Sequence, residues 1–412
     1  MTDEISPKNR KIVEWIDSIN NSPLESTIPT NKSSSVAPTD NKLKHTPRGS
    51  KSQRPNLPAR RPSQASRASK VSSTSRVSPT KQIADRQNKP SPALLQQFNP
   101  DDPGIPSSLR RIWAALSSFA KGRGVISRSK EDEIAKAKEE SARFESIDGD
   151  WFFSSNSTRV QLGLSPSIKK VIKILNIANI CANEKYDEAS WNSCVYLNVL
   201  KLVVPLSKAE DDSVFFLPCP TAKILDDYVD CRGGPRKIDF CFAVEPGPQA
   251  IKAITAIQYE DDLFSTSINH TDYQPLRCRP IVLSIESKPE GSGTSDGKAQ
   301  LLIWLEAQWR QLHRLASRVD PPRSLPDFLP AIIIEGHKWY FLACTSDEGK
   351  TVLWSELLLG TTQEALGIYS TVCCLQYFSR WITSDYWPAF QRLLSPTATP
   401  AATPNPTPIP TG

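Results

Sequence analysis

Two acids and a lysine stand at the ends of two apolar runs. The first run is Lys237-Ile238-Asp239-Phe240-Cys241-Phe242-Ala243-Val244, and the second is Pro280-Ile281-Val282-Leu283-Ser284-Ile285-Glu286-Ser287-Lys288. Side chains alternate faces along a strand, so Asp239, Cys241 and Ala243 share one face, and Val282, Ser284, Glu286 and Lys288 share another. If the two strands pair, Asp239 and Glu286 converge on one hard cation. Carboxylate oxygens are the donors that Mg²⁺ prefers, and this ion keeps several of its waters. Lys288 beside such an ion can orient a water or neutralise a phosphate.

The elements that must hold these groups can be read from periodicity. A helix is expected over 298–316, with Leu301, Leu302, Leu305, Trp309, Leu312 and Leu315 on its buried side and Gln300 near its start. The loop Gly291-Ser292-Gly293-Thr294-Ser295-Asp296-Gly297 lacks the spacing and the lysine of a phosphate-binding loop and reads as a flexible turn. Ser165-Pro166-Ser167 marks a helix start, followed by an apolar face of Val171, Ile172, Leu175, Ile177, Ala178 and Ile180. A second helix runs from Asp187-Glu188 to Val203. Residues 330–335, 339–344 and 351–354 are β-rich, and a long helix is expected from about Gln363 to Ile382.

The order of these motifs resembles the PD-(D/E)XK nuclease superfamily, and more closely a fungal PD-(D/E)XK nuclease-like domain. The residues that carry the resemblance are Lys237-Ile238-Asp239-Phe240 and Ile285-Glu286-Ser287-Lys288. They continue with Asn269-His270-Thr271-Asp272-Tyr273, Ala299-Gln300-Leu301, Trp304 to Trp309, Gly336-His337-Lys338-Trp339-Tyr340-Phe341 and Gly367-Ile368-Tyr369, to about Gln391. The resemblance implies an α/β fold. A mixed sheet with helices on both faces would be built on the α-β-β-β-α-β core of restriction-endonuclease-like proteins. It implies a Mg²⁺ or Mn²⁺ cofactor held by Asp239 and Glu286. Catalysis would draw on Asp239, Glu286, Lys288 and Gln300, with Gln300 orienting the site or touching substrate. Glu188, in the first turn of the preceding helix, is a further candidate metal contact, although Asp187 and Glu188 also suit a helix N-terminus through its dipole. The sequence departs from the pattern in having Ile238, not proline, before Asp239. The 47 residues from Asp239 to Glu286 also imply an insertion near 246–275 able to shape or cover the site.

Of 35 prolines in 412 residues, most gather at the two ends. Residues 9–16 suit a short helix. Residues 23–105 are rich in Ser, Pro, Lys and Arg, too polar to offset their chain entropy, and are expected to be disordered. Leu43 to Pro90 holds 12 Lys and Arg against one Asp, so the net charge of +6 is a property of this tail. Arg60 and Arg61 are candidate nucleic-acid contacts or part of a nuclear import signal, with Lys298 a further phosphate contact; a solvated linker fits the tail equally. The organisation expected is a basic tail over 1–105 and a helical linker region over 106–164. The nuclease-like domain follows over 165–394, then a Pro/Thr-rich tail over 395–412. Within the linker, Leu109, Ile112, Trp113, Leu116 and Phe119 form one apolar helix face, better suited to packing on the domain than to a membrane surface.

Nine cysteines without a C-x-x-C pair, and only four histidines, argue against a zinc site and for reduced thiols inside the cell, in nucleus or cytoplasm. His270 and His337 are more in keeping with core or turn positions. No apolar run is long enough to span a membrane. Two functional classes stand open: a metal-dependent nuclease acting on nucleic acid, DNA before RNA, and a module of the same fold that binds nucleic acid or protein without hydrolysis.

Overall fold

The computed structural model describes residues 79–87, 91–206, 210–229, 237–319, 321–347 and 349–395. Its centre is a seven-stranded mixed sheet in the order β1-β9-β8-β7-β6-β5-β4. The strands are β1 (Ala93–Gln97), β4 (Ser213–Pro218), β5 (Phe240–Glu245), β6 (Ile281–Lys288), β7 (Leu329–Glu335), β8 (Lys338–Asp347) and β9 (Lys350–Thr361). β2 (Ile126–Ser127) and β3 (Phe152–Phe153) form a separate two-stranded pair. Strands β5, β6 and β7 are buried along nearly their whole length because both their faces are covered, which is why alternation is faint in them.

The helices are α1 (Pro79–Gln87), α2 (Ser107–Ala120), α3 (Glu131–Glu140) and α4 (Ile168–Asn183), then α5. This fifth helix begins as Glu188–Trp191, widens into a π turn over Asn192–Tyr196 and closes as Leu197–Leu200. After it come α6 (Pro248–Glu260), α7 (Ser295–Ala316), α8 (Ala365–Trp381) and α9 (Trp387–Leu394). Three antiparallel strands, β4, β5 and β6, follow α5. α7 then crosses over to β7, which lies parallel to β6. The α-β-β-β-α-β core expected from the sequence is therefore present. α8 lies so close to β9 that a Cβ at Gly360 would overlap the Gly367 carbonyl, and one at Gly367 the Thr361 backbone.

The N-terminal boundaries need correction. The span 23–105 was expected to be disordered, yet α1 and β1 fall within it. Ala93 is fully buried, and β1 pairs in parallel with β9 from Ala93–Thr351 to Gln97–Ser355. The short run Ala93-Leu94-Leu95 gains order because it covers the open edge of β9, a gain that composition cannot register. Nor is 106–164 a linker: Leu109, Ile112 and Leu116 of α2, Ile134 of α3, Phe144 and Ile147 join the same core as the sheet. The expected helix over 9–16, and Arg60 and Arg61, lie outside the described residues.

The first half of the implied insertion forms α6, with Gly247 and Pro248 at its start. α6 leaves from the far end of β5, about 20 Å from Asp239 at a strand rise near 3.3 Å per residue. It packs against α9 and does not cover the acids.

Candidate active site

β5 and β6 run antiparallel, with Phe240 opposite Ile285 and Cys241 opposite Ser284. The next position on each strand is Asp239 and Glu286, and the Asp239 N–H donates to the Ile285 carbonyl at 3.1 Å. The two acids face each other where β5 starts and β6 nears its end. Glu286 shares its face with Ser284, whose hydroxyl accepts from Trp304 Nε1 of α7 at 3.0 Å. Ser287 meets α5 through Asn192. α7 comes this close because Gly297 is a glycine: a Cβ there would overlap Ile333 Cδ1 and touch Lys288 Cγ. The helix begins at Ser295, three residues before the sequence places it, and takes Gly297 into its first turn.

Glu286 is 1% exposed. Its Oε1 is ion-paired to Lys288 Nζ, and its Oε2, also buried, has no hydrogen-bond partner among the described residues. Burial, reinforced by the charge of Asp239, pushes the Glu286 pKa well above the usual carboxylate range; Lys288 opposes this and does not prevail. Glu188, at the start of α5, lies with its Oε2 3.7 Å from Lys288 Nζ. Its pKa is raised too, by burial first, while Lys288 pulls it down and Asp239 adds to the rise. For Lys288, burial works to lower the pKa. The carboxylates of Glu286, Glu188 and Asp239 outweigh burial, so the ammonium keeps its proton. The lysine Nζ also donates to the Ser287 carbonyl at 2.8 Å.

Asp239 is half-buried and held on one side. Its Oδ2 accepts from both the Ser287 N–H and the Ser287 hydroxyl, each at 2.8 Å. The hydroxyl lies 2.8 Å from the Asn192 amide as well. Gln300 does not reach the acids; its Nε2 donates at 2.6 Å to the carbonyl of Lys237, two residues before Asp239, and so clamps the chain that leads into the site. Lys298 points elsewhere, its ammonium 3.0 Å from Glu356 on β9, so its charge is already paired. Asp187 caps α5 by accepting the Ser190 N–H at 2.8 Å, which frees Glu188 for Lys288. Ser287 and Asn192 were not singled out from the sequence. Ser287 carries a signal only as the middle residue of E-S-K, and Asn192 carries one only as the residue one helical turn after Glu188.

A family model of the PD-(D/E)XK nuclease superfamily matches residues 137–387, more than half of the chain. The chain belongs to this superfamily. No curated protein and no solved structure shows a match.

PD-(D/E)XK nucleases generally use divalent metals. Among the described residues no three His, Cys, Asp or Glu side chains are grouped to hold a metal ion, so Glu188 does not join Asp239 and Glu286 in a ready cage. Two facing carboxylates nonetheless fit an ion that binds through one or two carboxylates and keeps its waters. The unpartnered Oε2 of Glu286 is the atom with most to gain, since a buried carboxylate oxygen left unsatisfied is costly. His270 and His337 are not part of this site. His270 is fully buried edge-on to Trp304, with burial pushing its pKa down to about 3, and His337 Nδ1 lies 2.8 Å from the Thr362 hydroxyl. No helix among the described residues is long and apolar enough to cross a membrane.

Proposed function

We propose that this chain is a Mg²⁺- or Mn²⁺-dependent nuclease, of the fungal branch its sequence resembles, that hydrolyses phosphodiester bonds of nucleic acid, DNA in preference to RNA. The observation that carries the reading is the Glu286 carboxyl, buried opposite Asp239, with one oxygen on Lys288 and the other unpartnered. Asp239 and Glu286 would hold the ion, which when bound polarises the phosphate and lowers the pKa of a coordinated water. Lys288, kept protonated by its acidic neighbours, supplies a fixed positive charge for the scissile phosphate and orients the attacking water. Glu188 holds Lys288 from the other side, at the edge of the site. Gln300 keeps the Lys237–Asp239 segment in place. The basic segment containing Arg60 and Arg61 adds sequence-independent attraction to the phosphate backbone.

The test is incubation of the purified full chain with plasmid DNA, single-stranded DNA and RNA, with Mg²⁺, with Mn²⁺ and with chelator, beside Glu286→Ala. Metal-dependent cleavage that Glu286→Ala abolishes supports the proposal. Binding of nucleic acid without cleavage in either metal overturns it in favour of the non-hydrolytic module.

A further inference from the structure

The Ser287 hydroxyl has one proton and two neighbours at 2.8 Å, the Asn192 amide and Asp239 Oδ2. It cannot donate to both if each presents an oxygen. An amide's oxygen and nitrogen are assigned from the hydrogen bonds around them. Turning the Asn192 amide over resolves the conflict: its N–H donates to Ser287, and the Ser287 proton goes to the carboxylate, where a charge-assisted bond is stronger. The Ser287 backbone N–H reaches the same oxygen at 2.8 Å. Oδ2 of Asp239 is thereby fixed by two donors, the plane of the carboxylate is set, and Oδ1 is the oxygen left for a cation.

α5 is shaped for this. Glu188 and Asn192 are four residues apart and share a face. The first addresses Lys288 and the second Ser287, so one helix face meets two successive residues of β6. The π turn starts at Asn192, and turns of this kind are frequent at functional sites.

We propose that Asn192 and Ser287 form a relay of positioning residues that orients Asp239 for metal binding, Asn192 acting through Ser287. The proposal rests on the metal-dependent reading above, and its test separates the two. Mn²⁺ is titrated calorimetrically into the full chain. Loss of a partner behind a metal ligand weakens affinity by roughly 10–100-fold, so Ser287→Ala should bind Mn²⁺ at least ~10-fold more weakly. Ser287→Thr, which keeps the hydroxyl, should stay within ~3-fold of wild type. Asn192→Leu should weaken binding, and the Ser287→Ala/Asn192→Leu pair should be no worse than Ser287→Ala alone, because residues in one chain of bonds are not additive. Melting temperatures taken without metal should differ little among these variants, which a merely structural role would not give. Wild-type binding that Ser287→Ala leaves unchanged overturns the relay, and additive losses overturn the order Asn192-to-Ser287. Wild type that binds no Mn²⁺ up to ~10 mM, far above what such sites need, overturns the nuclease reading itself and the relay with it.

Discussion

Asp239→Asn separates repulsion from ligation. Residues facing each other across an antiparallel pair have Cβ atoms about 5 Å apart. Two full charges at that distance repel by ~3 kcal/mol at an effective dielectric constant of 20. Asp239 is only partly buried, so solvent screening reduces this to ~1 kcal/mol. The asparagine keeps an oxygen for the Ser287 N–H and hydroxyl and loses the charge. At pH 8 without metal, Asp239→Asn should therefore melt ~2–4 °C above wild type, on the scale of about 2–4 °C per kcal/mol for a domain of this order of size. At pH 5, closer to the range in which burial lets Glu286 take up a proton, the gain should shrink.

Metal reverses the ranking. With an assumed Kd of about 1 mM, 10 mM Mg²⁺ stabilises the folded state by ~1.4 kcal/mol, a rise of about 3–5 °C for wild type. Asp239→Asn should show almost none of that rise, having lost a hard anionic donor. Scanning calorimetry at both pH values, with and without Mg²⁺, reads all four quantities. A variant that melts below wild type without metal yet keeps the full Mg²⁺ shift refutes the reasoning, because Asp239 would then be a structural acceptor and not a ligand.

Glu286 fixes a second expectation by its sign. Its folded pKa is raised well above the usual value near 4.5, so its contribution to stability is fully present below that value and is lost as pH rises through the folded pKa. Metal-free stability should fall over that window, and Glu286→Gln should flatten the fall in melting temperature against pH; an unchanged profile in the variant would contradict the assignment. Lys288→Ala should retain Mn²⁺ binding by calorimetry while plasmid cleavage drops by roughly 100-fold or more, the scale of a lost electrostatic donor; retained cleavage would remove the lysine from the reaction. Truncation should divide the N-terminal region in two. Deleting residues 1–71, which carry eight Lys and Arg between 43 and 71, should weaken nucleic-acid binding and flatten its salt dependence with little change in melting temperature. Deleting 1–105 should also strip β1 from β9, lower the melting temperature by several degrees and promote aggregation through the exposed edge.

The strands β5, β6 and β7 and the buried stripe of α7 were legible as apolar runs, and the order of the core came with the resemblance those runs carry; β4 was not read from the sequence. Strand parity made the facing of Asp239 and Glu286 conditional on the two strands pairing, and the β5–β6 register meets that condition. What escaped was decided by tertiary approach. Gly297 read as a turn residue, yet it sits in a helix because only hydrogen fits between that helix and Ile333. Ala93-Leu94-Leu95 is too short to stand out in a polar tail, and it is ordered by the edge it covers. Gln300 was expected to orient the site or touch substrate; its contact is with the Lys237 carbonyl, a partner set by loop geometry that periodicity does not encode. Ser287 and Asn192 are ordinary strand and helix residues until α5 and β6 are brought together.

A competing account makes Glu286 and Lys288 a structural ion pair at a strand end. Such a pair repays its desolvation only when the remaining lone pairs and protons are also satisfied. Here the lysine is well served, with Glu286, Glu188 and the Ser287 carbonyl around its ammonium. The glutamate is not. Its Oε2 is buried without a partner, and Asp239 stands opposite and adds repulsion. A site selected for stability alone would replace Asp239 with a neutral group and give Oε2 a donor, each a single substitution. One positive charge placed between the two acids would relieve both defects together. That is the requirement a divalent cation meets, and the reason the arrangement is better read as a binding site than as a brace.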